Sequence, residues 1–222
     1  MKIKINEIFD SIQGEGPVVG CRQLFVRFCG CNLNCAYCDT EFNEGIEYTP
    51  DELFRKITSD YNLNVFHSVS LTGGEPLLSA EFLKEFLPLV QKDVKIYLET
   101  NAVLFDKITE IKEYIDIISA DIKLKSSSGF DSFALHEKFF ENCSGIETFA
   151  KIVFDENITE DEIEKCVRLA GKFNLELILQ PKMSGDKMTV SSAFCTMLLN
   201  KFTEKYKNTR LIPQVHKFLD VR

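Results

Sequence analysis

The sequence predicts an α/β fold: a partial, open TIM-like barrel of about six βα units on a mostly parallel sheet. Three observations carry that prediction. Short apolar runs alternate with helix-periodic stretches along almost all of the 222 residues, which implies parallel strands covered by helices. The units are fewer than the eight that a closed barrel needs. The cysteine-rich, glycine-bearing and polar segments fall just after the apolar runs, where parallel α/β sheets place their active sites.

The elements follow in order. An N-terminal hairpin-like segment leads to QLFVRF (23–28), a short apolar run that reads as a buried strand. Thr49, Pro50 and Glu52 open a helix, as N-cap, first-turn proline and capping-box partner. VFHSVSLT (65–72) reads as a strand broken by GGEP, and SAEFLKEFLPLV (79–90) as a helix that Pro88 should kink or end. VKIYLET (94–100) is a strand, ITEIKEYI (108–115) a short helix and DIISADIKL (116–124) a strand. KSSSGFDS (125–132) has loop composition, and Phe133 to Glu141 a weaker helical pattern. TFAKIVF (148–154) is a strand, Thr159 with Glu162 starts a helix reaching about Phe173, and LELILQ (175–180) is a strand. PKMSGDK is a loop, Ser191 to about Tyr206 the last helix and TRLI (209–212) the last strand. No linker, repeat or low-complexity segment interrupts this order, so one domain is expected over 1–222.

Composition narrows the function. The chain is 45% hydrophobic and 27% charged, an ordinary globular balance. A net charge of −8 speaks against a protein that grips nucleic acid phosphates. The N-terminus shows no long apolar stretch of a secretory signal, and no run is long enough to span a membrane, so a cytoplasmic protein is expected. There, clustered cysteines are more often metal ligands or catalytic groups than disulfides.

Four of the eight cysteines lie in CGCNLNCAYCDT (29–40). Cys31, Cys35 and Cys38 form Cys-x3-Cys-x2-Cys. A structural zinc site wants four ligands, commonly two separated pairs. No second pair is present, and Cys29 is a cramped fourth ligand beside Cys31. Three thiolates on one loop can instead ligate three irons of a 4Fe–4S cluster and leave the fourth iron open to another molecule. Cys21, Cys143, Cys166 and Cys195 read as small core residues, and so does Cys29.

The three-cysteine motif, the aromatic Tyr37 before its last cysteine, and Gly73-Gly74-Glu75-Pro76 after the second strand resemble the radical S-adenosylmethionine superfamily. Ser11-Ile12-Gln13-Gly14-Glu15-Gly16, FVRFCGCNLNC, Cys38-Asp39-Thr40, LETN and the C-terminal IPQVHKFL together resemble the 7-carboxy-7-deazaguanine synthase family over nearly the whole chain. The resemblance implies radical chemistry on 6-carboxy-5,6,7,8-tetrahydropterin: hydrogen abstraction at C6 by a 5′-deoxyadenosyl radical, ring contraction and loss of ammonia, on the way to queuosine and other 7-deazapurines. It implies a 4Fe–4S cluster on Cys31, Cys35 and Cys38, and Mg2+ at Thr40. It implies S-adenosylmethionine held by Tyr37, Cys38, Asp39, Gly74, Ser119, Asp121, Lys123 and Gln180. Substrate would be held by Ile12, Gln13, Gly14, Arg27 and Thr72. A flavodoxin or ferredoxin reductant and a homodimer are implied as well, with no nucleic acid or membrane partner. Two departures stand out: Ser119-Ala120-Asp121-Ile122-Lys123 where some members have Ser-Pro-Lys, and Ala102 where LETNG is commoner.

Plainer readings stand beside these. Arg27 can be an ordinary ion-pairing residue, and Thr40 can cap a turn. Glu15 can bind substrate or hold its loop. Glu99 leans to the site, and His216-Lys217 to tail structure. His67 and His136 carry no signal. The rival function is an activating enzyme that makes a glycyl radical on a partner protein, which leaves SIQGEG and Thr40 unexplained.

Overall fold

A computed structural model of the chain describes residues 1–35 and 44–221. The strands are β1 Ile3–Ile12, β2 Arg22–Phe28, β3 Ile46–Tyr48, β4 Ser68–Gly73, β5 Lys95–Thr100, β6 Ile117–Ile122, β7 Glu147–Phe154, β8 Glu176–Pro181, β9 Met183–Ser184, β10 Lys187–Met188 and β11 Thr209–Leu211. The helices are α1 Pro50–Asp60, α2 Ala80–Val90, α3 Lys125–Ser128, α4 Phe133–Glu141, α5 Glu160–Phe173, α6 Ser192–Lys205 and α7 Val215–Leu219.

Nine of the described strands form one sheet in the order β11-β8-β7-β6-β5-β4-β2-β1-β3. From β2 to β11 every pairing is parallel. β1 pairs antiparallel with both β2 and β3, making the expected N-terminal hairpin an edge ribbon. The two ends, β3 and β11, do not pair, so the barrel is open.

Strand alternation builds two layers. Leu24, Val26, Val69, Leu71, Ile96, Leu98, Ile118, Ala120, Ala150, Ile152, Leu177 and Leu179 face the main core under the helices. Each large side chain buried there contributes about 1.5–3 kcal/mol. The alternate face is different. Near the start of the strands Tyr97, Ile117, Phe149 and Ile178 form a separate small apolar cluster, packed by Val18 and Ile212. Further along that face the residues turn polar: Thr72, Glu99, Ser119, Asp121, Lys151 and Gln180. This change places the site at the carboxyl ends of the strands.

The capping boxes at Thr49 and Thr159 both form, each adding about 1 kcal/mol. Several expectations are corrected. Residues 108–115 are not a continuous helix but two 3-10 turns, Lys107–Glu110 and Lys112–Tyr114, separated where Ile111 takes φ −132°. The helix expected over 79–90 forms as α2, which carries Pro88 inside its last turn and ends at Val90. Six buried residues, among them Phe82, Phe86 and Leu87, hold that helix on the core and offset the lost donor. The 125–132 loop contains the single turn α3, stopped by Gly129 at φ 87°. Cys21, in the turn after β1, and Cys29, just past β2, are only half-buried, whereas Cys143, Cys166 and Cys195 are buried as expected.

Candidate active site

The strand ends enclose a cavity of about 1080 Å³. Its wall includes Ile12, Gln13, Gly14, Arg27, Cys31, Cys35, Thr72, Gly74, Ser119, Asp121, Lys123 and Gln180. Twelve residues singled out from sequence are thus brought together. Tyr37, Cys38, Asp39 and Thr40 lie outside the described residues.

The cysteine end is built on backbone contact. Gly73 (φ 108°) and Gly74 carry the chain past the cysteine loop. A Cβ on Gly74 would sit 1.7 Å from the Gly30 carbonyl oxygen, so only glycine permits this approach. Gly74 N–H donates to the Phe28 carbonyl (3.0 Å) and Glu75 N–H to that of Gly30 (2.9 Å). The Glu75 side chain turns away from the cavity. It is fully buried and accepts from Leu77 N (3.0 Å), Thr100 Oγ1 (2.9 Å) and Asn101 N (2.8 Å). Burial pushes its carboxyl up to about 7 against those donors. Asn101 in turn donates to Asn32 Oδ1 at 2.8 Å. The acid of the GGEP segment is therefore a strut that ties the β4 and β5 ends to the cysteine loop. Cys29 stays apart, its thiol donating to the Glu44 carbonyl at 3.2 Å.

The opposite register of residues holds charge. Glu99 accepts from Thr72 Oγ1 (2.7 Å) and Gln13 Nε2 (3.0 Å), which joins three segments. Gln13 is also tied to Gln23 Oε1 at 2.9 Å. Lys151 pairs with Glu15, and Lys123 with Asp121 at 2.8 Å. Burial raises the Glu15 carboxyl, but the Lys151 ammonium and the Gln214 amide (2.6 Å) outweigh it and hold it at about 2. The C-terminal segment closes over this corner. Val215 N–H donates to the Gly14 carbonyl at 2.9 Å, and the His216 ring fills the space where a Gly14 Cβ would go. His216-Lys217 thus line the cavity rather than forming mere tail. Arg27, beside Thr72 in the β2–β4 register, rests its guanidinium 5.3 Å from the Phe9 ring centre. Buried His136 is structural: it accepts from Lys123 N (3.2 Å) and bonds the Ala102 carbonyl (3.1 Å).

The cavity fits the groups the sequence implies. Among the described residues, three buried polar atoms on its wall lack hydrogen-bond partners: Arg27 Nε, Asp121 Oδ1 and Gln180 Oε1. Orphans of this kind cost stability unless a ligand answers them. A donor and two acceptors suit an anionic heterocycle and a ribose-bearing cofactor. Two soft thiols, Cys31 and Cys35, stand at one end, where a cluster would be ligated. Lys151 and Gln214 are the site residues that sequence reasoning missed. Lys151 left a trace, since it is the one charge inside the apolar run TFAKIVF. Gln214 left none.

Comparison with known proteins agrees with this geometry. The radical SAM superfamily model matches residues 25–170. The 7-carboxy-7-deazaguanine synthase of Geobacter sulfurreducens is 34% identical, over 97% of this chain and 96% of its own. That of Archaeoglobus fulgidus is also 34% identical, over the full length of both. The crystal structure of QueE from Escherichia coli superposes with a TM-score of 0.66 at 20% identity, covering 97% of this chain and 95% of that one, which shows a shared fold. With the site at its strand ends and relatives matched from end to end, the chain belongs to the radical SAM superfamily and, within it, to the 7-carboxy-7-deazaguanine synthase family.

Proposed function

We propose that the chain converts 6-carboxy-5,6,7,8-tetrahydropterin to 7-carboxy-7-deazaguanine and ammonia, acting as a single domain. The observation that carries this reading is one cavity that joins Cys31, Cys35 and Gly74 to Gln13, Arg27, Thr72 and Glu99. When bound, the 4Fe–4S cluster and S-adenosylmethionine would supply one-electron radical chemistry toward the substrate.

The chain's own residues bind, orient and exclude water. Cys31, Cys35 and Cys38 ligate the cluster. Gly74 admits the methionyl amino group by close backbone approach, and Tyr37, Cys38, Asp39, Ser119, Asp121, Lys123 and Gln180 hold the rest of S-adenosylmethionine. Arg27 takes the substrate carboxylate with its planar fork, and the Phe9 face steadies the guanidinium. Thr40 would hold Mg2+ through its hydroxyl, since a hard cation prefers oxygen. Ile12, Gln13, Gly14 and Thr72 read the pterin edge. The C-terminal segment over Gly14 keeps water from that end. Homodimerisation and reduction by a flavodoxin or ferredoxin complete the proposal. No helix among the described residues is long and apolar enough to cross a membrane.

The test is an anaerobic assay of reconstituted protein with S-adenosylmethionine, dithionite, Mg2+ and the pterin, read by mass spectrometry. The expected product disappears in Cys31→Ala and weakens in Thr40→Ala. Slow, uncoupled 5′-deoxyadenosine without deazaguanine product would refute the substrate and point to the glycyl-radical activating reaction.

A further inference from the structure

We propose that Lys151 is a positioning residue that couples the two ends of the cavity, so that S-adenosylmethionine bound at Asp121 tightens the hold of the Glu15 corner on substrate. The inference rests on the functional reading above, which puts the cofactor at Asp121 and the pterin beside residues 12–14.

Lys151 is 8% exposed, between Phe149 and Val153 on the inner face of β7. Its register partner on β6 is Asp121, directly across the ladder. Of the three carboxylates that act on the ammonium, Glu99 does so from further off, and Glu15 and Asp121 face it unequally. It is in direct contact with Glu15, and Asp121 Oδ2 lies 3.9 Å away. Asp121 has a second cation in Lys123, at 2.8 Å, so it does not depend on Lys151 for neutralisation. Its other oxygen, Oδ1, is buried with no hydrogen-bond partner among the described residues.

That arrangement links two binding events. A ligand hydroxyl donating to Asp121 Oδ1 spreads the aspartate's charge and weakens its pull on the Lys151 ammonium. The ammonium is then left to Glu15. Burial alone would lower the Lys151 ammonium, but Glu15, Asp121 and Glu99 together raise it above its ordinary range, so the lysine stays charged throughout. Glu15 carries the substrate loop with it. Its own N–H donates to Gln13 Oε1 at 2.9 Å, and its carboxylate accepts from Gln214 of the closing C-terminal segment. Fixing Glu15 fixes the amide of Gln13 and the cover over Gly14. By linkage the effect is reciprocal, so pterin also tightens the cofactor.

A lysine that only neutralises Glu15 would be a structural residue and no more. Equilibrium binding to the reconstituted, unreduced protein separates the two roles without turnover. The pterin dissociation constant is measured with and without saturating S-adenosylmethionine. In the wild type the cofactor should tighten pterin about tenfold, within the usual range of such couplings. Lys151→Met leaves Glu15 as a buried unpaired carboxylate and can compromise folding. Glu15→Gln/Lys151→Met removes both charges and keeps the shape. In the double variant, and in Lys151→Met where it folds, the tightening should fall to about onefold, and Lys151→Arg should recover part of it. An unchanged factor in the double variant overturns the inference, as does a wild type that binds pterin equally with and without cofactor. If the wild type also converts the pterin, the function stands without the coupling. A wild type that binds no pterin overturns both.

Discussion

Glu15 and Glu75 are both acids taken out of water at the edge of one cavity, and their surroundings drive them apart. Glu75 takes its hydrogen bonds from neutral donors, two backbone amides and the Thr100 hydroxyl, and the Lys123 ammonium acts on it more weakly than any of these. Burial wins there, and the carboxyl stands at about 7. Glu15 meets an ammonium and is held at about 2. Neutral donors make a rigid frame that links backbone to backbone, whereas paired charge makes a surface that answers to what binds beside it. The cysteine end of the cavity is built in the first way and the Glu15 end in the second.

The sharpest way to break this contrast is Glu75→Ala. It strands three buried donors at once and frees the β5 end from the cysteine loop. The expected loss is about 3 kcal/mol or more in urea unfolding at neutral pH. A loss below about 1 kcal/mol would show that the strut is dispensable.

The contrast also predicts opposite pH dependences. Glu15 titrates at about 2 in the folded chain and at 4.5 unfolded. Its contribution is therefore complete above pH 4.5 and is lost as pH falls toward about 2, with a full size of about 3 kcal/mol. Glu75 is raised, so the folded chain keeps a proton that the unfolded chain has released, and its contribution is lost as pH rises from 4.5 through about 7. Glu15→Gln should flatten the acid limb of the stability profile, and Glu75→Gln the limb between 4.5 and about 7. Equal flattening in both variants over the same limb would sink the contrast.

A smaller effect falls on the link between strut and loop. Asn101→Ala removes the 2.8 Å bond to Asn32 while leaving the Glu75 bond to its backbone in place. Stability should fall by about 1 kcal/mol. Cluster absorbance in the reconstituted protein should decay faster under chelator. A decay matching the wild type would mean that the cysteine loop holds its shape unaided.

Much of this architecture is legible in the chain because strand runs and capping boxes are local signals. Thr49 with Glu52, and Thr159 with Glu162, declare their helices within four residues. The strand-end loops announce the site because glycine, cysteine and acid residues interrupt apolar runs. The alternation within those runs says more: in SADIK and TFAKIVF, Ala120 and Ile152 go to the core while Ser119, Asp121 and Lys151 line the site. What sequence does not show depends on distance along the chain. Glu15 meets Gln214 across 199 residues, and Glu75 meets Asn101 across 26. The two 3-10 turns at 107–114 escaped for another reason, since Ile108, Ile111 and Ile115 repeat with helical spacing although the backbone breaks at Ile111.

Ala102 offers the finest test of the frame. It follows Asn101 in the left-handed region, at φ 55°, where a side chain costs about 1–2 kcal/mol. Three contacts hold it there: its N–H donates to Thr100 Oγ1 (3.1 Å), its carbonyl meets His136 Nδ1, and its methyl is fully buried. Burial keeps His136 down at about 4, so near neutral pH the ring is uncharged, with Nδ1–H donating to Ala102 and Nε2 accepting from Lys123. Ala102→Gly relieves the backbone strain. It also gives up one buried methyl, about 0.8 kcal/mol, and restores freedom to the unfolded chain, about 0.4–1 kcal/mol. These terms nearly cancel, so thermal unfolding should shift by no more than about 0.5 kcal/mol in either direction. A gain above about 1 kcal/mol would mean that the frame stores real strain at this position, and a comparable loss that the methyl packs more tightly than its strain costs.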